Sequence, residues 1–141
     1  MNDDLPPVAG PALASTLPEV VRHLAQREAQ AMLDEVEGVT AVVVASIDGF
    51  DIASAIRGDG DPSRIAAMAS SISAISAVVS HEVTLGRNRS VTIDTEAGFA
   101  VVYAVHRTDF EMIVNVIAGT GALLGQVAYR AAQMARTLAS A

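Results

Sequence analysis

The sequence predicts a mixed α/β (α+β) domain whose elements run helix, strand, strand, helix, strand, strand, strand, helix. Three observations carry that reading. Along three long segments apolar residues recur every three or four positions, the helical period. Five shorter runs are dense in valine, isoleucine and alanine and too short to stand as independent helices. An Asp48-Gly49 pair separates two of those runs, and Asp-Gly tolerates the positive φ angles that a tight hairpin turn requires. At 141 residues the chain suffices for one domain with its own core and is too short for two ordinary ones.

Residues 1–16, rich in proline and alanine, read as a flexible tail, and residues 17–141 as the domain. The first helix is expected to start at Thr16 to Glu19, with threonine as cap and Pro18 in the first turn. Leu17, Val20, Val21, Leu24, Met32, Leu33 and Val36 form its apolar positions, acidic residues fill the remainder, and Gly38 stops it. Strands follow at about 39–47 and 50–56, joined by the Asp48-Gly49 turn. After the loop Arg57 to Asp61, the pair Asp61-Pro62 can begin the second helix.

That helix is unusual. From Ile65 to Ser80 there are sixteen residues without a charge, five of them serine. Ile65, Met68, Ile72, Ile75, Val79 and Val83 make a large apolar face that should cover a sheet. The opposite face carries Ala67, Ser70, Ala74, Ala77, Val78 and His81, small or uncharged where a solvated helix is normally charged. Two readings compete for it. One is a solvated alanine-and-serine surface. The other, preferred here, is a close helix–helix seam at 3-4-3 spacing between two antiparallel copies in a homodimer.

Strands are next expected at Ser90–Thr95, with Val91 and Ile93 on one face, at Phe99–Val105 and at Phe110–Ile117. Gly119-Thr-Gly121 then opens a last helix with the stripe Leu123, Leu124, Val127, Ala128, Ala131, Met134, Ala135 and Leu138. Arg130 and Arg136 lie in its second half, favourable for the helix dipole.

Composition closes several functional routes. There is no cysteine, which excludes disulfides, thiolate metal sites and thiol catalysis. All nine basic residues are arginine, so no P-loop lysine, Schiff base or lysine general base exists. A net charge of −7 without a basic cluster suits neither nucleic acid nor an anionic membrane. The N-terminus lacks a basic signal-peptide region and no apolar run looks long enough to span a bilayer, so a soluble cytoplasmic protein is expected.

Taken together, Gly38-Val-Thr-Ala-Val-Val-Val-Ala-Ser-Ile-Asp-Gly49, the following Ile52-Ala-Ser54, the small-residue central helix and Thr120-Gly-Ala-Leu-Leu-Gly125 resemble the Roadblock family. This is the dynein light-chain type, found in bacteria as regulators of Ras-like GTPases. The resemblance runs from about Val36 to Leu138 and departs from the family's Ala-Asn-Leu-Gly at the last helix. It implies a profilin-like five-stranded antiparallel sheet, the central helix on one face and the terminal helices on the other. It further implies a homodimer in which the central helices pair and the third strands join, and a non-enzymatic platform for a small Ras-like GTPase that modulates its nucleotide cycle.

Residues that could carry other chemistry have simpler roles. His23, His81 and His106 fall on three elements without ligand-like spacing, so no metal site is expected. Gly119-Thr-Gly121 with Gly125 lacks the dinucleotide fingerprint and no strand follows it, so no nucleotide or other cofactor is expected. Asp48 and Asp61 belong to the hairpin and the helix cap, and the calcium-loop pattern is missing around Asp51 and Asp59. No nucleophile elbow is present, and the protein is read as lacking catalytic residues. The expected dimer interface is Ala67, Ser70, Ala74, Ala77, Val78 and His81 with Val91 and Ile93. Arg64, Glu82, Arg87 and Arg89 are the expected partner contacts. A scaffold subunit without GTPase regulation and a small-molecule sensor remain as alternatives.

Overall fold

The computed structural model describes residues 17–141. Its elements are α1 (Glu19–Glu35), β1 (Val39–Ser46), β2 (Asp51–Ile56), α2 (Pro62–Glu82), β3 (Ser90–Thr95), β4 (Gly98–Val105), β5 (Met112–Gly119) and α3 (Leu124–Ser140). They form one antiparallel sheet in the order β2-β1-β5-β4-β3. The expected class and element order hold.

The sheet is covered on both sides, and strand alternation decides which residues go where. Val42 and Val44 of β1, Val101 of β4 and Val114 and Val116 of β5 face α1 and α3 and build the larger core. Val43, Val102 and Ile113 point the other way and meet α2. The central strands are buried on both faces, so they read as continuous apolar runs rather than alternating ones.

Several local expectations change in the folded chain. The Thr16 cap lies outside the described residues, and Pro18 precedes the first helical residue rather than lying in the first turn. On α1 the buried positions are Val21, Ala25, Ala29, Met32 and Leu33, whereas Val20 is 71% exposed. The hairpin is longer than two residues. Ser46 N–H donates to the Phe50 carbonyl at 2.8 Å and Gly49 N–H to the Ser46 carbonyl at 3.0 Å. This makes a three-residue loop closed by Gly49 at φ +98°, with a register shift between Val44 and Ala45.

Strand β5 starts two residues later than expected, because Phe110 is buried ahead of the strand. Helix α3 begins at Leu124, Gly119 stays in β5, and Leu123 is 68% exposed instead of joining the stripe. The last turn of α3 has no basic residue. Arg107, from the β4–β5 connection, instead donates to the carbonyls of Leu138 and Ala141 at 2.7 and 2.8 Å. Arg130 turns to α1 and pairs with Glu28 at 3.3 Å.

Candidate functional site

Helix α2 starts as its sequence dictates: the Asp61 carboxylate accepts from Ser63 N–H at 3.0 Å and Pro62 occupies the first turn. It then touches all five strands. By length and composition it is long and apolar enough to cross a bilayer, contrary to the sequence expectation, yet its underside is fixed to the sheet and makes it a layer of the domain.

That underside is only partly the expected one: Ile65 and Ile72 face the sheet as expected, but the helix is turned so that Ala66, Ala69 and Ser73 join them. Ile65, Ala66, Ala69 and Ser73 are the buried residues, and Ile72 is half-buried. Met68, Ile75, Val79 and Val83, expected to cover the sheet, are exposed. The reason is steric. The sheet face beneath already carries Val43, Val102 and Ile113, so small residues let the helix backbone settle close to it and larger side chains turn outward. Ile75 is 66% and Val78 63% exposed, and both share the outer surface with Met68 and Val79.

The residues expected at a dimer seam are distributed as follows. Ala67, Ala74, Ala77, Val78 and His81 are exposed along α2. Ser70 is half-buried, and its hydroxyl donates to the Ile47 carbonyl at 2.7 Å within the β1–β2 hairpin. Val91 and Ile93 lie opposite Val102 and Ala100, hence on the α2 side of the sheet. Their strand, β3, is a sheet edge that pairs with β4, and its outer row of backbone groups has no strand partner among the described residues.

The expected partner contacts do not form one cluster. Arg64 and Glu82 lie at opposite ends of α2, eighteen residues and therefore about 27 Å apart along the helix. Arg87 and Arg89, by contrast, share a hollow with His106, Ser80, Leu85 and Ser90. The loop carrying them is held tightly. Leu85 N–H donates to the Ser80 carbonyl and Thr84 N–H to the His81 carbonyl, closing α2 with Thr84 at φ 53°. Ala104 N–H then donates to the Arg89 carbonyl at 2.9 Å. The Asn88 carbonyl lies 3.2 Å from His106 Nε2, which donates to it when that nitrogen carries the proton.

In the sequence His106 stands only as one of three histidines without ligand-like spacing. The fold brings it beside Glu111, with Nδ1 at 3.8 Å from Oε1. That Nδ1 is buried and has no hydrogen-bond partner among the described residues. His23 sits 3.7 Å from Glu19 on α1, and His81 is exposed on α2, so the three histidines are spread over the molecule.

A family model described as Roadblock/LC7 domain matches residues 25–114. Among solved structures, the Roadblock/LC7 domain from Streptomyces avermitilis is 18% identical, with TM-score 0.72 over 80% of this chain and 92% of that one. The gliding protein MglB from Thermus thermophilus is 14% identical, with TM-score 0.74 over 89% and 95%. Myxococcus xanthus MglB is 13% identical, with TM-score 0.76 over 88% and 91%. No curated protein sequence matches the chain. At these identities the structural likeness concerns the fold.

Proposed function

The chain belongs to the Roadblock/LC7 domain family, and we infer that it works as a non-enzymatic homodimeric platform for a small Ras-like GTPase whose nucleotide cycle it modulates. The observation that carries this reading is the outer face of α2. Met68, Ile75, Val78 and Val79 form an apolar surface on a helix without a charge from Ile65 to Ser80. A face of this kind on an otherwise acidic chain fits a second protein surface better than water. A second copy of the same face supplies it, in the isologous arrangement of a two-fold dimer. The free edge of β3, with Ile93 beside α2, offers a second place for the copies to meet.

The mechanism is positional. A preformed dimer surface that binds one conformation of the GTPase switch loops more tightly than the other shifts their population by that difference in affinity, without adding a catalytic group. A sensor reading is less well supported. The hollow between α2 and the sheet holds about 200 Å3, and two larger ones, about 630 and 460 Å3, open around the α2–β3 loop rather than between helix and sheet where a profilin-like sensor would hold its ligand.

The test is co-purification of the full chain with Ras-like GTPases loaded with GTP or GDP, followed by hydrolysis rates with and without it. State-selective binding with an altered rate supports regulation. Binding with an unchanged rate makes the protein an assembly subunit, and binding to neither state removes the GTPase from the account.

A further inference from the structure

The hollow under the C-terminal half of α2 and the hollow beside the α2–β3 loop share Arg87, Asn88 and His106, so they form one groove with two unlike ends. The inner end is apolar, walled by Ile47, Ala77, Ala104, Val105 and Met112. The outer end carries Arg87 and Arg89, with Leu85 at its rim, 75% exposed. Arg22, Arg57, Arg107 and Arg130 are all engaged by carboxylates or carbonyls of the fold. Arg27, Arg64, Arg87, Arg89 and Arg136 make no such bond among the described residues, and of these Arg87 and Arg89 share one hollow. Two unpaired arginines lining one hollow in a protein of net charge −7 mark a local reversal of sign. The acidic group in the groove, Glu111, already faces His106.

We propose that this groove binds an extended acidic segment of a partner protein, one large apolar side chain seated in the inner end and the flanking carboxylates held by Arg87 and Arg89. The inner end, about 200 Å3, has room for one such side chain, and the wider outer end, about 630 Å3, has room for the flanking backbone and carboxylates. Guanidinium groups grip carboxylates in a planar, two-point fashion. The loop is anchored through the Arg89 and Asn88 carbonyls, so little ordering is required on binding. The assignment rests on the platform reading for its partner and adds to it the chemistry that partner must present.

The experiment uses the full chain alone and a fluorescein-labelled peptide, Gly-Asp-Glu-Leu-Asp-Glu-Gly, followed by polarisation and by amide chemical shifts. Saturable binding is expected, weakening at least tenfold when the acids of the peptide are replaced by lysine and about fivefold when its leucine becomes alanine. Shifts should map to residues 84–90 and 104–111. Joint Arg87→Ala and Arg89→Ala should weaken binding at least tenfold, joint replacement by lysine should restore most of it, and Ala77→Leu, which plugs the inner end, should erase the preference for leucine. The substituted residues Ala77, Arg87 and Arg89 are all exposed, so melting temperature serves as the folding control. Absent binding, equal binding of the lysine peptide, a shift map elsewhere, or an arginine double variant that binds unchanged overturns the assignment. Because no GTPase is present, each of these results leaves the effect on hydrolysis untouched.

Discussion

Ile75→Ala puts a number on the proposed subunit interface at a residue whose monomer role is small. In one subunit Ile75 is 66% exposed. Fully burying an isoleucine side chain contributes about 1.5–3 kcal/mol, so covering the open two-thirds contributes about 1–2 kcal/mol per copy. Two-fold symmetry counts the residue twice, giving about 2–4 kcal/mol per dimer. Alanine keeps the Cβ, so the lower half of that range applies, a weakening of about thirty- to a hundred-and-sixtyfold in dimer dissociation constant. The folded monomer should not suffer, because no cavity is opened and alanine is the better helix former. Sedimentation equilibrium across a concentration series, with thermal melts at a concentration where both proteins are monomeric, separates the two effects. An unchanged dissociation constant would refute the placement of this face at the interface, and so would a wild-type protein that stays monomeric throughout.

Other perturbations probe the subunit and its surface. Ala74→Arg puts a charge on the same exposed face and should leave monomers in sedimentation, with the melting temperature retained. A Cβ added at Gly98, which has φ +145°, would collide with the Ala118 carbonyl oxygen on the neighbouring strand. Gly98→Ala should therefore cost about 3 kcal/mol in urea unfolding. Thr84 is a β-branched residue at positive φ, a conformation that costs about 1–2 kcal/mol, while glycine returns part of the gain as chain entropy. Thr84→Gly should raise stability by roughly 0.5–1 kcal/mol, a rise of a few degrees in Tm. Arg107→Ala removes the charged donor that closes the end of α3 and should cost about 1.5–3 kcal/mol. Arg107 also holds the Asp109 carboxyl below the ordinary carboxylate value, through a side-chain hydrogen bond first and its charge second. A depressed folded pKa means the unfolded chain binds the proton first as pH falls. The contribution of this exposed pair is therefore complete above the ordinary value and lost as pH drops through the lowered one. In Arg107→Ala the Asp109 titration followed by carbon NMR should move up toward the ordinary value.

Much of the fold was legible in the chain because it rests on local, periodic signals. The order of all eight elements, the Asp61-Pro62 start of α2 and the placement of Val91 and Ile93 on one face of β3 follow from period, caps and alternation. The central strands were equally clear, since a strand buried on both faces advertises itself as an unbroken apolar run. Helix α2 was the case where such reasoning could establish amphipathic choice but not its direction. Both of its faces lack charge, and nothing local distinguishes the one that meets the sheet. The bulk of Val43, Val102 and Ile113 settles it, by favouring small Ala66, Ala69 and Ser73 between Ile65 and Ile72 beneath the helix.

The candidate groove divides in the same way. Arg87 and Arg89 stand out in the sequence as a loop pair, while Arg64 and Glu82 looked equally suited and proved to be far apart. His106, Ala104 and Met112 join the arginines only because β4 and β5 end beside the loop that follows α2. The chain alone therefore determined which elements form, what chemistry is excluded and which family it resembles, since each depends on residue types and short spacings. The tertiary structure decided which apolar face of α2 looks outward, which arginines remain unpaired and where they gather, because those outcomes depend on contacts between segments distant along the chain.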